Sequence, residues 1–195
     1  MSASPWQDAL GERFQDLAPR LRAYFGPIPE GSAGRGKGVL ETVGTPRRWL
    51  WPVFTVAGAL RIVWPRWEHG VQVRVVNRVE DGALLGSRRF GFASGEREMI
   101  DRITSERGEL VDRLGRGGLL ETRYRTTVED GALLLRSTRI ALRLGALRLP
   151  LPAVAELRET VLDDGRQRVE FRLAAPGLGR VYEYAGEFEY EIGAA

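Results

Sequence analysis

No cysteine occurs among the 195 residues, and histidine occurs once, at His69. The first absence excludes a disulfide framework and every thiolate-based metal or redox site. The second excludes a histidine-rich metal site and makes any histidine-dependent triad rest on one residue. Lysine is nearly missing as well: 28 of the 29 basic residues are arginine, Lys37 being the exception. No uninterrupted apolar run of about 18 residues is present, so no helical membrane span is expected. Met1 to Trp6 lacks the charged start and apolar stretch of a signal peptide. The expectation from these absences is a cytoplasmic protein with a single domain over 1–195, long enough to bury its own core without a staple.

Charge of one sign is also in short supply. The net charge of +3 lies wholly in residues 1–70, which carry nine basic and six acidic residues; residues 71–195 carry twenty of each. Acids and bases alternate there, as in Glu121, Arg123 and Arg125, or Arg168, Glu170 and Arg172. A nucleic-acid binder gathers its bases on one face to neutralise phosphates, so no nucleic-acid partner is expected. Arginine in place of lysine across a whole chain reads as base composition of the genome.

What is present is periodicity. Ser4, Pro5 and Gln7 form a helix start with a capping box. Trp6, Leu10, Phe14, Leu17, Leu21 and Tyr24 follow at spacings of three or four, which predicts a helix over 1–25, broken or kinked after Ala18 by Pro19. From residue 70 onward the period becomes two. Val71, Val73 and Val75 alternate with polar residues, and Tyr182, Tyr184, Phe188, Tyr190 and Ile192 alternate with Glu183, Glu187, Glu189 and Glu191. Asp-Gly pairs at 81–82, 130–131 and 164–165 separate strand-like runs, a strong hairpin signal. Ten strands result, over 36–43, 71–80, 83–92, 97–105, 108–114, 119–129, 132–145, 154–163, 166–175 and 180–192. The expected fold is mainly β: a ten-stranded antiparallel β-barrel or strongly curved, calycin-like sheet, with an N-terminal helix and a short helical lid after the first strand. Closure removes the sheet edges, and a barrel of this size leaves room inside.

Three charged residues fall in phase with apolar neighbours and so point inward by pattern: Asp101, Arg139 and Glu159. An unpaired buried charge is costly, so these groups either floor a polar pocket or mark bulges that turn them out. The segment 45–67 holds four of the five tryptophans, with Arg47, Arg48, Arg61 and Arg66 around them. A short helix over 52–61 is expected there, acting as a core plug, as a lid over a ligand cavity, or as a patch for a membrane surface or partner. In the lid reading Trp49, Trp51 and Phe54 border the cavity while Arg47 and Arg48 meet an anionic head at its mouth. Gly31 to Gly38 nearly spells a phosphate loop, but Gly38 stands where a serine or threonine would bind magnesium, and a strand follows instead of a helix. That stretch reads as a flexible connector. His69 reads as a surface turn residue. No carboxylate pair is singled out for catalysis, and no cofactor is called for.

Leu149 to Pro152, Glu159, Asp163 to Arg166, Phe171, Pro176 to Gly179 and Tyr184 to Gly186 occur in an order that resembles a bacterial family known as domain of unknown function 4166. The run from Leu17 to Leu21, the glycine-rich strand and Arg89-Phe90 fit it too. The resemblance covers nearly the whole chain and brings no catalytic residues. It implies an accessory role, because members occur joined to nucleotide-dependent oxidoreductase-like domains; an oxidoreductase is therefore a candidate partner. The leading expectation is a non-enzymatic module that binds a hydrophobic or amphiphilic small molecule. The alternatives are an enzyme using inward carboxylates and arginine, and an interaction domain with a filled core.

Overall fold

The computed structural model describes residues 3–194. Ten antiparallel strands close into a barrel, and an eleventh hangs on its wall. In chain order they are β1 (Ser32–Gly44), β2 (Glu68–Glu80), β3 (Ala83–Phe92), β4 (Gly95–Glu106), β5 (Glu109–Leu114), β6 (Leu120–Glu129), β7 (Ala132–Leu144), β8 (Leu147–Pro150), β9 (Val154–Val161), β10 (Gln167–Ala175) and β11 (Gly179–Ala194). Neighbours in sequence pair around the wall, β7 skips to β9, and β11 returns to β1. The sequence-predicted barrel is the observed fold.

Two hairpins show how the sequence sets the register. Asp81 and Gly82 both have positive φ, as do Asp130 and Gly131, which is the primed turn geometry matching strand twist. One strand, β8, was absent from the sequence reading, which ran 132–145 into a loop. It pairs only with β7, through Ala141–Pro150 to Leu144–Leu147. Leu147 and Leu149 share one face with Leu144 and Leu142 across the hairpin, and Arg143 meets Arg148 on the other. The strand is only four residues long and ends in Pro150, too short a run for its alternation to stand out from a loop.

Two further corrections concern residues 1–44. The expected single helix over 1–25 is three pieces: α1 (Pro5–Leu10), a 3-10 turn over Gly11–Asp16 and α2 (Pro19–Phe25). Gly11 takes a positive φ of 57° and ends α1; Leu17 and Ala18 are extended before Pro19, as a residue before proline prefers. The glycine-rich stretch is no flexible connector, because it is most of β1. Gly34, Gly36 and Gly38 alternate inward with Leu40, and a β-carbon on Gly34 would overlap the Tyr190 ring, one on Gly38 the Phe188 backbone. The missing side chains make room for the aromatic rings of β11.

The strands place all connections at two poles. At one pole lie residues 3–31 and the turns 80–83, 106–109, 129–132 and 161–167. Here Trp6, Leu10, Phe14, Leu21, Tyr24 and Phe25 plug the barrel and join the core. Tyr24 meets Phe25, Phe188 and Tyr190 edge-on, with ring centroids 4.7, 5.6 and 4.5 Å away. At the other pole the connection 45–67 folds across the opening as a turn at Arg48–Leu50 and a helix α3 (Trp51–Ala59), close to the expected 52–61.

Candidate functional site

Between the poles lies a cavity of about 330 Å³. Aliphatic and aromatic side chains form most of its wall, including Met99, Ile103, Leu110, Leu135, Leu157 and Phe171; Phe25 lies at one end and Val53, Phe54 and Ala57 of α3 at the other. Phe54 sits 5.6 Å from the Tyr182 ring.

Four charged residues interrupt this wall: Arg88, Asp101, Asp112 and Glu159. Each keeps the inward phase of its strand. Arg88 follows Leu84 and Gly86 and precedes Phe90; Asp101 lies between Met99 and Ile103; Asp112 between Leu110 and Leu114; Glu159 after Leu157. Arg88 donates to Asp101 Oδ2 in an ion pair buried on the Asp101 side. Gly86 makes this pair possible, since a β-carbon there would overlap Asp101 Oδ1. Gln167 donates to Glu159 Oε2. Asn77 reaches Tyr190 Oη at 3.4 Å.

The electrostatics follow from three acids sharing one arginine. Burial, joined by the Asp101 charge, raises the Asp112 carboxyl well above its usual range, against the pull of Arg88. Burial also pushes Glu159 up to about 7, with Gln167 and Arg88 opposing. Burial by itself lowers the Arg88 guanidinium, but Asp101 foremost, then Tyr24, Tyr184 and Asp112, outweigh it and hold Arg88 above its usual value. Two acceptor atoms of the cavity lining stay without a partner among the described residues, Asp101 Oδ1 and Asp112 Oδ1; a third, Asn77 Oδ1, lies outside the lining. A buried carboxylate oxygen left this way is costly unless a donor reaches it.

Of the residues singled out from sequence, the structure brings Asp101, Glu159 and Phe54 to the cavity. Arg139 points out: it is exposed on β7, opposite Arg123, just where a bulge shifts the register of β6 against β7. Trp49 is 59% exposed, and Trp51 is half-buried beneath the Arg48 guanidinium, 5.8 Å away; neither lines the cavity. Arg47 donates to the carbonyls of Leu178 and Arg180, at 2.5 and 3.2 Å, and ties the α3 connection to the β10–β11 turn. His69 lies in β2 and not in a turn; Trp67 Nε1 donates to its Nε2 at 3.2 Å, and its Nδ1 contacts the Glu41 carbonyl at 3.0 Å. Glu183, which the alternation along β11 places on the outer face, is 9% exposed and paired with Arg180.

Arg88 and Asp112 were not found from sequence, although the signal existed. Of the adjacent Arg88 and Arg89, only Arg88 is in phase with Phe90 and Phe92, and Asp112 stands midway between two inward leucines. Among the described residues no cluster of metal-ligating side chains occurs, and no helix is long and apolar enough to cross a membrane.

A family model described as Domain of unknown function (DUF4166) matches residues 17–188. The chain belongs to this family. No curated protein matches it. Among solved structures it is similar to Rv2717c from M. tuberculosis, with 16% identity and a TM-score of 0.45 over 90% of this chain and 99% of that one. The family match spans the strand connections of both poles and every charged residue of the cavity.

Proposed function

We propose that this DUF4166 domain binds a small amphiphilic molecule inside its barrel, through a polar end that donates hydrogen bonds. The observation that carries the reading is the pair of unpartnered oxygens, Asp101 Oδ1 and Asp112 Oδ1, on the wall of an otherwise apolar cavity. A mostly apolar pocket with few polar anchors is the ordinary design of a small-molecule site, and about 330 Å³ lies at its lower end. A hydroxyl or ammonium group supplies what these oxygens lack, while its hydrocarbon part lies along Leu110, Leu157 and Phe171. A carboxylate head fits poorly: it would face the Asp101 carboxylate, and Arg88 is already committed to that group. The anionic head expected from sequence therefore gives way to a neutral or cationic one.

The test is a titration with decanol, decylamine and decanoate, followed by intrinsic fluorescence. Trp6, Phe54 and Tyr182 border the cavity, so entry should perturb tryptophan emission. Decanol or decylamine should bind at least about tenfold more tightly than decanoate, the equivalent of one good hydrogen bond to a charged acceptor. Asp101→Leu should abolish that preference. Equal affinity for all three compounds would refute the polar-end assignment.

A second reading has its own observation. Glu159 faces the cavity with its carboxyl near 7, the value that suits a general acid–base group. In that case Glu159→Gln leaves ligand binding intact and removes turnover.

A further inference from the structure

We infer that the α3 pole is a docking surface for an anionic membrane, on which the barrel stands with its α3-covered end against the lipid. Charge and apolar exposure segregate along the barrel axis in a way that the alternating sequence conceals. The connections of the α3 pole, 45–67, 93–94, 115–119, 142–153 and 176–180, contain eight arginines and no acid. The connections of the opposite pole, 3–31, 80–83, 106–109, 129–132 and 162–166, contain twelve acids and five arginines. Of the eight arginines, Arg61, Arg143 and Arg180 pair with glutamates of the wall. Arg47, Arg48, Arg66, Arg116 and Arg148 have no carboxylate partner among the described residues.

The same pole collects the exposed hydrophobic side chains. Eight of the eleven large exposed ones lie there: Trp49, Val53 and Val56 on the α3 connection, Leu144, Leu147, Leu149 and Leu151 on the β7–β8 hairpin, and Leu178 at the β10–β11 turn. Contacts confirm one continuous rim. Arg47 bonds Leu178 O, the Arg116 amide bonds Leu60 O at 3.0 Å, Arg143 bonds Gly118 O at 3.0 Å, and Val53 and Leu151 border the same end of the cavity.

Leucine, valine and tryptophan on projecting tips, backed by unpaired arginines, match the interfacial zone of a bilayer, where apolar side chains enter and cations meet lipid phosphates. The partner chemistry is set by charge. An anionic surface attracts this pole and repels the acidic one, so the approach is oriented over a distance of about one Debye length. A zwitterionic surface offers only the apolar part. The inference stands on the rim alone and holds whether or not the cavity takes a ligand.

Vesicle flotation tests it directly, with phosphatidylcholine vesicles against vesicles that also contain phosphatidylglycerol. The protein should float with the phosphatidylglycerol vesicles, stay behind with phosphatidylcholine alone, and be released by high salt. The triple charge reversal Arg48→Glu, Arg66→Glu and Arg116→Glu should weaken binding by about tenfold or more. Trp49→Ser with Leu147→Ser should do the same without changing the salt dependence. Glu80→Gln with Glu129→Gln, at the acidic pole, should change nothing. All these positions are exposed, and circular dichroism checks that each variant stays folded. Equal flotation with both vesicle types, no flotation, or an unaffected charge-reversal variant would overturn the proposal. So would a dimer in sizing experiments that Trp49→Ser with Leu147→Ser dissociates in the absence of vesicle binding, because the rim would then belong to a second copy.

Discussion

The two poles of this barrel solve the same problem with opposite means. Each must cover an open end of a ten-stranded wall. The pole formed by residues 3–31 does so with core: Leu21 and Phe25 are 0 and 1% exposed, and Leu17 and Phe14 are 2 and 5% exposed. The α3 pole does so with a nine-residue helix in which no side chain is fully buried. Both segments carry a run of large apolar side chains, so the presence of such residues does not separate them. The difference is depth. Helix spacing on one stripe gives α1 and α2 a side to drive into the barrel, whereas α3 is apolar all round and can offer its outer face only to solvent or to something else. One pole is therefore part of the core, and the other is a cover whose outer face stays exposed.

The largest expected effect separates the poles by stability. Phe25→Ala should lower the unfolding free energy by about 3–5 kcal/mol, as for any fully buried aromatic, while Phe54→Ala, half-buried at the cavity end, should cost about 1–2 kcal/mol. Denaturant unfolding of both variants measures this, and comparable losses would mean that α3 is core as much as α1 and α2 are.

Next in size is a pH effect from the cavity wall. Glu159 is raised from 4.5 to about 7, so between those values the folded protein holds a proton that the unfolded chain has released. Stability from this group is complete below about 4.5 and is lost as pH rises through about 7, by about 3 kcal/mol in all. Asp112 contributes with the same sign. Surface acids such as Glu41, lowered chiefly by its hydrogen bond from Arg168, act oppositely and lose their contribution in acid. Glu159→Gln should flatten the decline between about pH 5 and pH 7 relative to the unmodified protein. An unchanged slope would place the titration elsewhere. The smallest effect sharpens the comparison from the other side: Val56→Ser, 62% exposed on α3, should shift stability by no more than about 0.5 kcal/mol.

Much of the wall was legible in the sequence because a half-buried antiparallel sheet writes its two faces as a period of two. The Asp-Gly turns then fix which strands meet. Legibility failed where another rule took over. The glycines of β1 carry no polarity to alternate, and their meaning lies in Tyr190 and Phe188, at least 150 residues away in the chain. β8 is four residues long and ends in Pro150, too short for its alternation to register. Gly11 breaks a stripe that the helical spacing alone carries through, whereas the break at Ala18 is written in Pro19. For the site, in-phase charge located Asp101 and Glu159 but also Arg139, which the register shift between β6 and β7 turns outward. Arg88 and Asp112 were equally readable by phase, yet each sits among other charged residues that mask it. The polarity of the barrel was invisible to composition by thirds, since only the strand order shows which loops share a pole.

The central claim, that the interior takes a donor-headed amphiphile against Asp101 and Asp112, is tested most directly by methyl-resolved nuclear magnetic resonance during titration with decylamine. The account predicts shifts at Met99, Ile103, Leu110 and Leu157 on the cavity wall, loss of those shifts in the cavity-filling variant Leu157→Trp, and none at Val39 and Val79 on the outer surface. Shifts confined to Val53, Val56 and Leu147 on the rim, with the cavity methyls unmoved, would contradict it.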